Sequence, residues 1–475
     1  MNLPRMLSQL PGEMALFTLS KASAESVGAR IGRLSFWGRI PFDTPHYIGI
    51  TSRGVVPHIS QDMFRKHTNI NGVYVALEDF IEKAPLQDPP VFDYKALDGQ
   101  VLRRFLALPD DNLLVLGARR TPPVTSPTSN TSSGVTILTS VGFGELSSQY
   151  FAAAAQKLKP DILVALGDIP FGKPNPGRKR MDKMSGRTAV WLNDIIVGQR
   201  GLDKTTEQKE QFAIFAPVLP ISVELQRFYL DQLGDEMRSE IQGLAMYDPL
   251  SITKIPEELE NLPRLSMSEP ANPQCILREI QHGVDIFTIP FIGIATDAGI
   301  ALDFSFPVRS AEPINGTILR KPLGIDMRPS SHARDLSPLR PGCKCYACTK
   351  HHRAYLQHLL AANEMLGWVL LQIHNHQVVD EFFAGTRASV GAETFDEDCR
   401  VFEKFYDPDL PEKTGQGPRV RGYQCKSEGP SEPKRNPTAY GRLDGVKEKP
   451  SEAISLPNPA ADAKDLEDQG FAKAV

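Results

Sequence analysis

Residues 212–246 read FAIFAPVLPISVELQRFYLDQLGDEMRSEIQGLAM. An apolar run, FAIFAPV (212–218), is followed by an amphipathic stretch, SVELQRFYLDQL (222–233), and then by a second short apolar run inside EIQGLAM (240–246). Short strands that are apolar on both faces and joined by helices belong to a parallel sheet. The alternation extends both ways. Upstream, GVTILTS (134–140) and DILVAL (161–166) read as strands, and ELSSQYFAAAAQKL (145–158) and SGRTAVWLNDIIVGQ (185–199) as helices. Downstream, NPQCILREIQHG (272–283) reads as a helix and DIFTIPF (285–291) as a strand. With LLVLGA (113–118) added, the series favours a closed (β/α)8 TIM barrel of the α/β class. A doubly wound sheet is the rival, but no Gly-rich dinucleotide fingerprint follows an early strand.

The flanks differ in character. Residues 1–13 form an N-terminal extension without the apolar core of a signal peptide. From there to about residue 60 the chain is β-rich, with MALFTLS, RIGRLSF and HYIGI as short alternating runs. TPPVTSPTSNTSSG (121–134) has no apolar period and reads as a flexible surface insertion in a barrel domain spanning 14–330. Its Asn130-Thr131-Ser132 sequon, like Asn315-Gly316-Thr317, reads as a chance match. Residues 331–406 form a helical metal-binding subdomain that closes the barrel. Residues 407–475 are polar and rich in Gly, Pro and charge, which predicts a disordered tail.

The 475 residues are 41% hydrophobic and carry a net charge of -4. No global basic excess advertises nucleic acid, so any RNA contact must come from a local patch or a partner. The local candidate is GRKRMDKMSGR (177–187), with Arg178, Lys179, Arg180, Lys183 and Arg187 available to phosphates; an ordinary solvated barrel loop would look the same. No run of about 18 apolar residues exists to span a membrane.

Three of the six cysteines crowd together as Cys343-Lys344-Cys345-Tyr346-Ala347-Cys348. Such crowding points to a reducing compartment and a metal site rather than a disulfide framework. Zinc prefers thiolate and imidazole donors in a tetrahedron, and C-x-C-x-x-C supplies three from one loop. The fourth ligand stays open on spacing alone. His351 and His352 are near in sequence, whereas His374 lies 26 positions beyond Cys348 (374 − 348). A helix, a bend at Gly367 and a second helix could return His374 to the loop, with His376 facing away. Trp368, Val369, Leu370, Leu371, Val378, Val379, Phe382 and Phe383 exceed what one buried helix face needs, so part of them could form a subunit seam. His46, His58 and His282 show no metal or nucleophile partner and read as structural or surface residues.

The run CKCYACTKHHRAYLQHLLAANEMLGWVLLQIHN (343–375) resembles the zinc subdomain of the tRNA-guanine transglycosylase family. ARIGRL (29–34), TPHYIGITSRGVVPH (44–58), LKPDILVALGDIP (158–170), IQGLAMYDP (241–249) and HARDLSPLRPGC (332–343) extend the resemblance over about residues 14–405. It implies a TIM barrel with an inserted zinc subdomain. It also implies one structural Zn2+ held by Cys343, Cys345, Cys348 and His374.

The departures from the family pattern bear on activity. Active members carry a D-M-F-D-type segment whose second Asp is the nucleophile. Here the segment is Gly283-Val284-Asp285-Ile286-Phe287-Thr288, with Thr288 at the nucleophile position, and the Arg-rich stretch that should follow is absent. A Thr hydroxyl without an adjacent base is a poor nucleophile. The D-S-G-G-F-Q segment is missing, the base-pocket loop reads Gln242-Gly243-Leu244, and Asp168 is at most a shifted remnant of the pocket acid. The pattern is similar to the non-catalytic branch of the family, with no catalytic residue of its own. That branch implies a heterodimer with a catalytic subunit, exchange of guanine for queuine at position 34 of tRNAs with GUN anticodons, and a cytoplasmic chain. Attachment to the mitochondrial outer membrane, where that branch is found, would be peripheral. The alternative is an active transglycosylase in which Asp285 or Asp297 has taken over as nucleophile.

Overall fold

The computed structural model describes residues 15–21, 28–82, 87–139, 141–171, 176–200, 212–251, 254–308, 320–415 and 417–418. Eight parallel strands close into a barrel. In chain order they are β4 (His46–Ile50), β5 (Gly72–Ala76), β6 (Leu113–Gly117), β9 (Ile162–Val164), β10 (Ala213–Val218), β11 (Gly243–Met246), β12 (Arg264–Ser266) and β13 (Ile286–Thr288). The barrel closes where Ile286, Phe287 and Thr288 pair in register with His46, Tyr47 and Ile48. Ile48, Tyr74, Val115, Val164, Phe215 and Leu265 fill the interior, so the barrel is a packed core.

β1 (Ala15–Lys21), β2 (Ile31–Phe36) and β3 (Phe42–Thr44) form an antiparallel sheet. Leu34, Phe36 and Phe42 from that sheet join the barrel core, and Ile40 N–H donates to Asp111 O just ahead of β6. The sheet therefore covers the N-terminal ends of the barrel strands.

Helices α1 (Gln61–His67), α2 (Pro90–Asp93), α3 (Val101–Phe105), α4 (Ser148–Leu158), α5 (Arg178–Arg200), α6 (Val223–Gly234) and α7 (Pro273–Gln281) lie in the connections between barrel strands, whereas the β11–β12 connection holds only short 3-10 turns among the described residues. After β13 come α8 (Phe291–Ala298) and a two-stranded sheet of β14 (Ile300–Leu302) and β15 (Gly324–Asp326). The chain then forms α9 (Tyr346–Lys350), α10 (Arg353–Ala361), α11 (Met365–Gly391) and α12 (Phe395–Phe405).

Several expectations need correction. GVTILTS is not a barrel strand. It forms β7 (Gly134–Thr139), which pairs antiparallel with β8 (Gly142–Ser147) in a separate hairpin. Helix α4 begins only at Ser148, because the Ser147 side chain caps it by accepting from Tyr150 N–H. The basic run is no loop: it is the first turns of α5, whose Arg, Lys and Met residues are good helix formers. The stretch 121–134 lacks regular structure before β7, as expected, but it does not hang free. Thr121 and Asn130 are buried, and the Asn130 side chain is fully engaged, which also removes it as a glycan acceptor.

The bend between α10 and α11 falls at Asn363, in the left-handed region at φ 55°, and not at Gly367. Gly367 instead lets the two helices approach, since a Cβ there would meet Leu360 at 3.1 Å. Trp368, Leu370, Leu371, Val378, Val379, Phe382 and Phe383 are buried within the chain, and Val369 is half-buried against the same core, so they offer no broad free subunit seam. The ordered body also runs past residue 407. Asp407 N–H donates to Lys321 O, and Thr414 Oγ1 donates to Asp326. Of the expected tail, residues 416 and 419–475 lie outside the described residues, as do residues 1–14 and Asn315.

Candidate metal centre and barrel mouth

Pro341 and Gly342 turn the chain into the cysteine loop, Gly342 taking φ 76°. Cys345 caps α9 through its sulfur, which accepts from Cys348 N–H at 3.3 Å. That single turn brings Cys343, Cys345 and Cys348 together. The fourth member comes from α11. His374 Nδ1 lies 3.7, 3.6 and 3.4 Å from the sulfurs of Cys343, Cys345 and Cys348. All four donor atoms are within 4.8 Å of one another, and they form the one such group among the described residues. They could hold a metal ion.

The second ring nitrogen shows why His374 faces the sulfurs. Its Nε2–H donates to Leu302 O at 2.9 Å, which fixes the tautomer and leaves Nδ1 for the thiolates. The next residue, Asn375, completes the clamp on β14: its Oδ1 accepts from Leu302 N–H, and its Nδ2 donates to Ile300 O and Thr296 Oγ1. Nothing in the sequence reading singled out Asn375; only its place beside a ligand hints at it. His352 instead caps α10, accepting from Tyr355 N–H, and His351 stacks on Tyr355. His376 points the other way, to the Tyr47 hydroxyl at 3.1 Å.

Electrostatics agree with a metal-poised cluster. Hydrogen bonds from Cys345 and Cys348 push the Cys343 thiol down, and the same crowding pushes Cys345 up. Burial alone would lower His374, but its hydrogen bonds to Cys343 and Cys348 and their charge raise it to about 9. A cation in the centre would replace these shared protons, because metal ligands bind deprotonated.

The barrel mouth is lined by Tyr74, Arg119, Gly167, Phe171, Tyr247 and Glu269 among others, around a cavity of about 30 Å³. Asp168, next to this lining, is fully buried. Arg180 grips both of its carboxylate oxygens, one at 2.6 Å, and Arg187 reaches it at 3.3 Å. Asn130 Nδ2 donates to it at 2.9 Å. Two of the five basic residues read as phosphate contacts are thus turned inward. Arg178, Lys179 and Lys183 remain exposed. Glu269 stands at the mouth in the left-handed region, φ 61°, and burial raises its carboxyl to about 7; sequence reading missed it.

Thr288 is also fully buried, and its Oγ1 donates to Ser266 O at 3.2 Å. Asp285 sits at the opposite end of β13. Arg30 grips its carboxylate, which also accepts from Arg264 N–H at 2.7 Å. Asp297, on α8, is half exposed and meets His58 Nε2 at 2.7 Å. Gln242 accepts from Ile214 N–H at 2.9 Å, and Gly243 leaves space for the Phe215 ring, 2.5 Å from where a Cβ would stand. His46 packs between Phe42, Tyr47 and Phe383, and His282 Nδ1 meets Arg278 O, in keeping with structural roles.

Residues 25–408 match the family model described as queuine tRNA-ribosyltransferase. The chain belongs to this family. Among curated relatives of the queuine tRNA-ribosyltransferase family, a protein of Schizosaccharomyces pombe (strain 972 / ATCC 24843) named queuine tRNA-ribosyltransferase accessory subunit 2 is 34% identical over 412 residues, covering 86% of this chain and 88% of that protein. Proteins of the same name from Xenopus laevis and Gallus gallus are each 26% identical, covering 78% of this chain and 95% and 94% of their own lengths. The match takes in both the barrel and the four metal-site residues. Among the described residues, no helix is long and apolar enough to cross a membrane.

Proposed function

We propose that this chain is the non-catalytic accessory subunit of a queuine tRNA-ribosyltransferase heterodimer. It supports a catalytic subunit that exchanges guanine for queuine at position 34 of tRNAs with GUN anticodons. The observation that carries the reading is the state of Thr288. A hydroxyl occupies the position where the family places its nucleophilic carboxylate, and that hydroxyl is buried and committed to Ser266 O. The arginine-filled environment of Asp168 supports the same reading, because no free acid is left there to read a base.

The metal of the Cys343, Cys345, Cys348 and His374 site is zinc. Tetrahedral zinc with sulfur at about 2.3 Å and nitrogen at about 2.0–2.1 Å sets S···N edges of roughly 3.6 Å, and the three observed separations of 3.4–3.7 Å bracket that value. Four protein donors leave no open position, so its role is structural: it would hold the cysteine loop against α11. The chain acts in the cytoplasm, and its contact with the mitochondrial outer membrane is peripheral.

The test is co-purification with the catalytic subunit, followed by exchange of labelled guanine into tRNA by each chain alone and by the pair. The pair is expected to work and this chain alone to be inert. Exchange by the isolated chain, or a covalent tRNA adduct on it, overturns the reading.

A further inference from the structure

The hairpin of β7 and β8 has one closed edge and one open edge. Its strands pair without a bulge from Gly134 and Ser147 to Thr139 and Gly142. On β7 the backbone groups that point away from β8 meet partners. Leu138 N–H donates to Glu78, and Leu138 O accepts from Arg120. Thr136 N–H donates to Asn130, and Thr136 O accepts from Arg119. Gly134 N–H donates to Thr131 Oγ1, and Gly134 O accepts from Thr131 N–H.

In an antiparallel pair, opposed residues alternate between those that bond each other and those whose backbone groups point outward. Leu138 faces Phe143 and Thr136 faces Glu145. The N–H and C=O groups of Phe143 and Glu145 therefore point outward as well, on the far side of β8. They have no partner among the described residues, because the sheet ends at β8. Native edge strands are blunted by Lys, Pro or a bulge. β8 reads Gly142-Phe143-Gly144-Glu145-Leu146-Ser147 and has none of these. Its one charged side chain turns back across the hairpin, where Thr131 and Ser133 hydroxyls donate to Glu145 at 2.7 and 2.6 Å. Gly144 is exposed, and a Cβ there meets nothing within 4 Å. β8 lines no part of the barrel mouth.

We propose that the open edge of β8 takes up an extended segment of a partner protein as a third, antiparallel strand. The side chains of β8 set the chemistry of that segment. A basic residue stands opposite the exposed Glu145, and an aliphatic residue opposite the half-buried Phe143. An aromatic ring opposite Gly144 fills the space that the missing side chain leaves. From its N-terminus the segment reads basic, aromatic, aliphatic. A second copy of β8 fits poorly, because antiparallel pairing about Gly144 sets Glu145 against Phe143 and glycine against glycine. The edge stands whether or not the chain is an accessory subunit.

The probe is the capped peptide Thr-Thr-Lys-Phe-Val-Thr-Thr, dye-labelled and titrated against the full chain by fluorescence anisotropy. Saturable binding is expected. In the added strand the Lys and Val N–H groups face β8, and the Phe N–H faces away. Methylating the Lys and Val nitrogens together is expected to weaken binding by roughly thirty-fold, the yield of two backbone hydrogen bonds. Methylating the Phe nitrogen is expected to leave it unchanged. Phe143→Pro removes an outward N–H and spares the hairpin bonds, at an edge position where strands tolerate proline, and it is expected to weaken the unmethylated peptide. Absence of saturable binding, equal effects of the two methylations, or binding that Phe143→Pro leaves untouched overturns the proposal. So does a dimer of this chain that Phe143→Pro dissolves, since the occupant would then be a second copy.

Discussion

Arg180 holds the carboxylate of Asp168 by both oxygens, from the first turn of α5 into the fully buried end of the loop after β9. Removing one partner of a buried pair leaves a charge without compensation, which is worse than losing both. Arg180→Ala is expected to destabilise the chain by about 2 kcal/mol, less than a full buried pair because Arg187 and Asn130 remain. Asp168→Asn in the same background is expected to recover part of that loss. Urea denaturation of the single and double variants measures it, and strict additivity would show that the two residues do not act as a pair.

The metal centre predicts one zinc per chain in elemental analysis. Cys345→Ser removes a thiolate of the site while leaving a hydroxyl that can still cap α9, so it is expected to abolish stoichiometric zinc and lower the melting temperature by several degrees. A chelator should reproduce the shift in the unaltered chain. A chain that melts at the same temperature with and without metal would leave the site without a structural role.

Thr288→Val keeps the shape of the side chain and removes the hydroxyl. It leaves Ser266 O short of one donor, so stability should fall by about 1 kcal/mol. Exchange by the heterodimer should continue at the unaltered rate. A large loss of exchange with folding intact would assign Thr288 to the chemistry.

Stability should also fall with rising pH through one buried acid. Glu279 accepts from Ser266 Oγ at 2.6 Å and from Ser268 Oγ, yet burial outweighs both bonds and raises its carboxyl from 4.5 to about 7. Between those values the folded chain holds a proton that the unfolded chain has released. The contribution is therefore present below about pH 4.5 and lost as pH rises through 7. Glu279→Gln should flatten the decline in unfolding free energy between pH 5 and 7.5 by roughly 1–3 kcal/mol. An unchanged slope would place the carboxyl in a wetter setting.

Much of this architecture can be read from the chain because a parallel strand buried on both faces leaves an unmistakable apolar run, as FAIFAPV does. GVTILTS has the same signature and pairs outside the barrel, since a run of apolar residues does not name its partner strand. The metal loop is legible because its three sulfurs are local, whereas choosing His374 over His351 needed the family resemblance. The environment of Asp168 was not legible. It assembles Asn130, Arg180 and Arg187 from a loop and a helix that sequence reading took for solvent-facing segments, and charge alone does not tell an inward arginine from an outward one.

Helix α11 spans 27 residues and presents His374 to the sulfur cluster and, half a turn on, His376 to Tyr47 of the first barrel strand. Tyr47 pairs with Phe287 at the seam where the cylinder shuts. One rod therefore fastens the histidine of the metal site to the last join of the scaffold, so loosening either end should be felt at the other. Slow amide-hydrogen exchange in β4 and β13 would then report on occupancy of that site some distance away, placing the sulfur cluster in the same cooperative unit as the closure of the sheet.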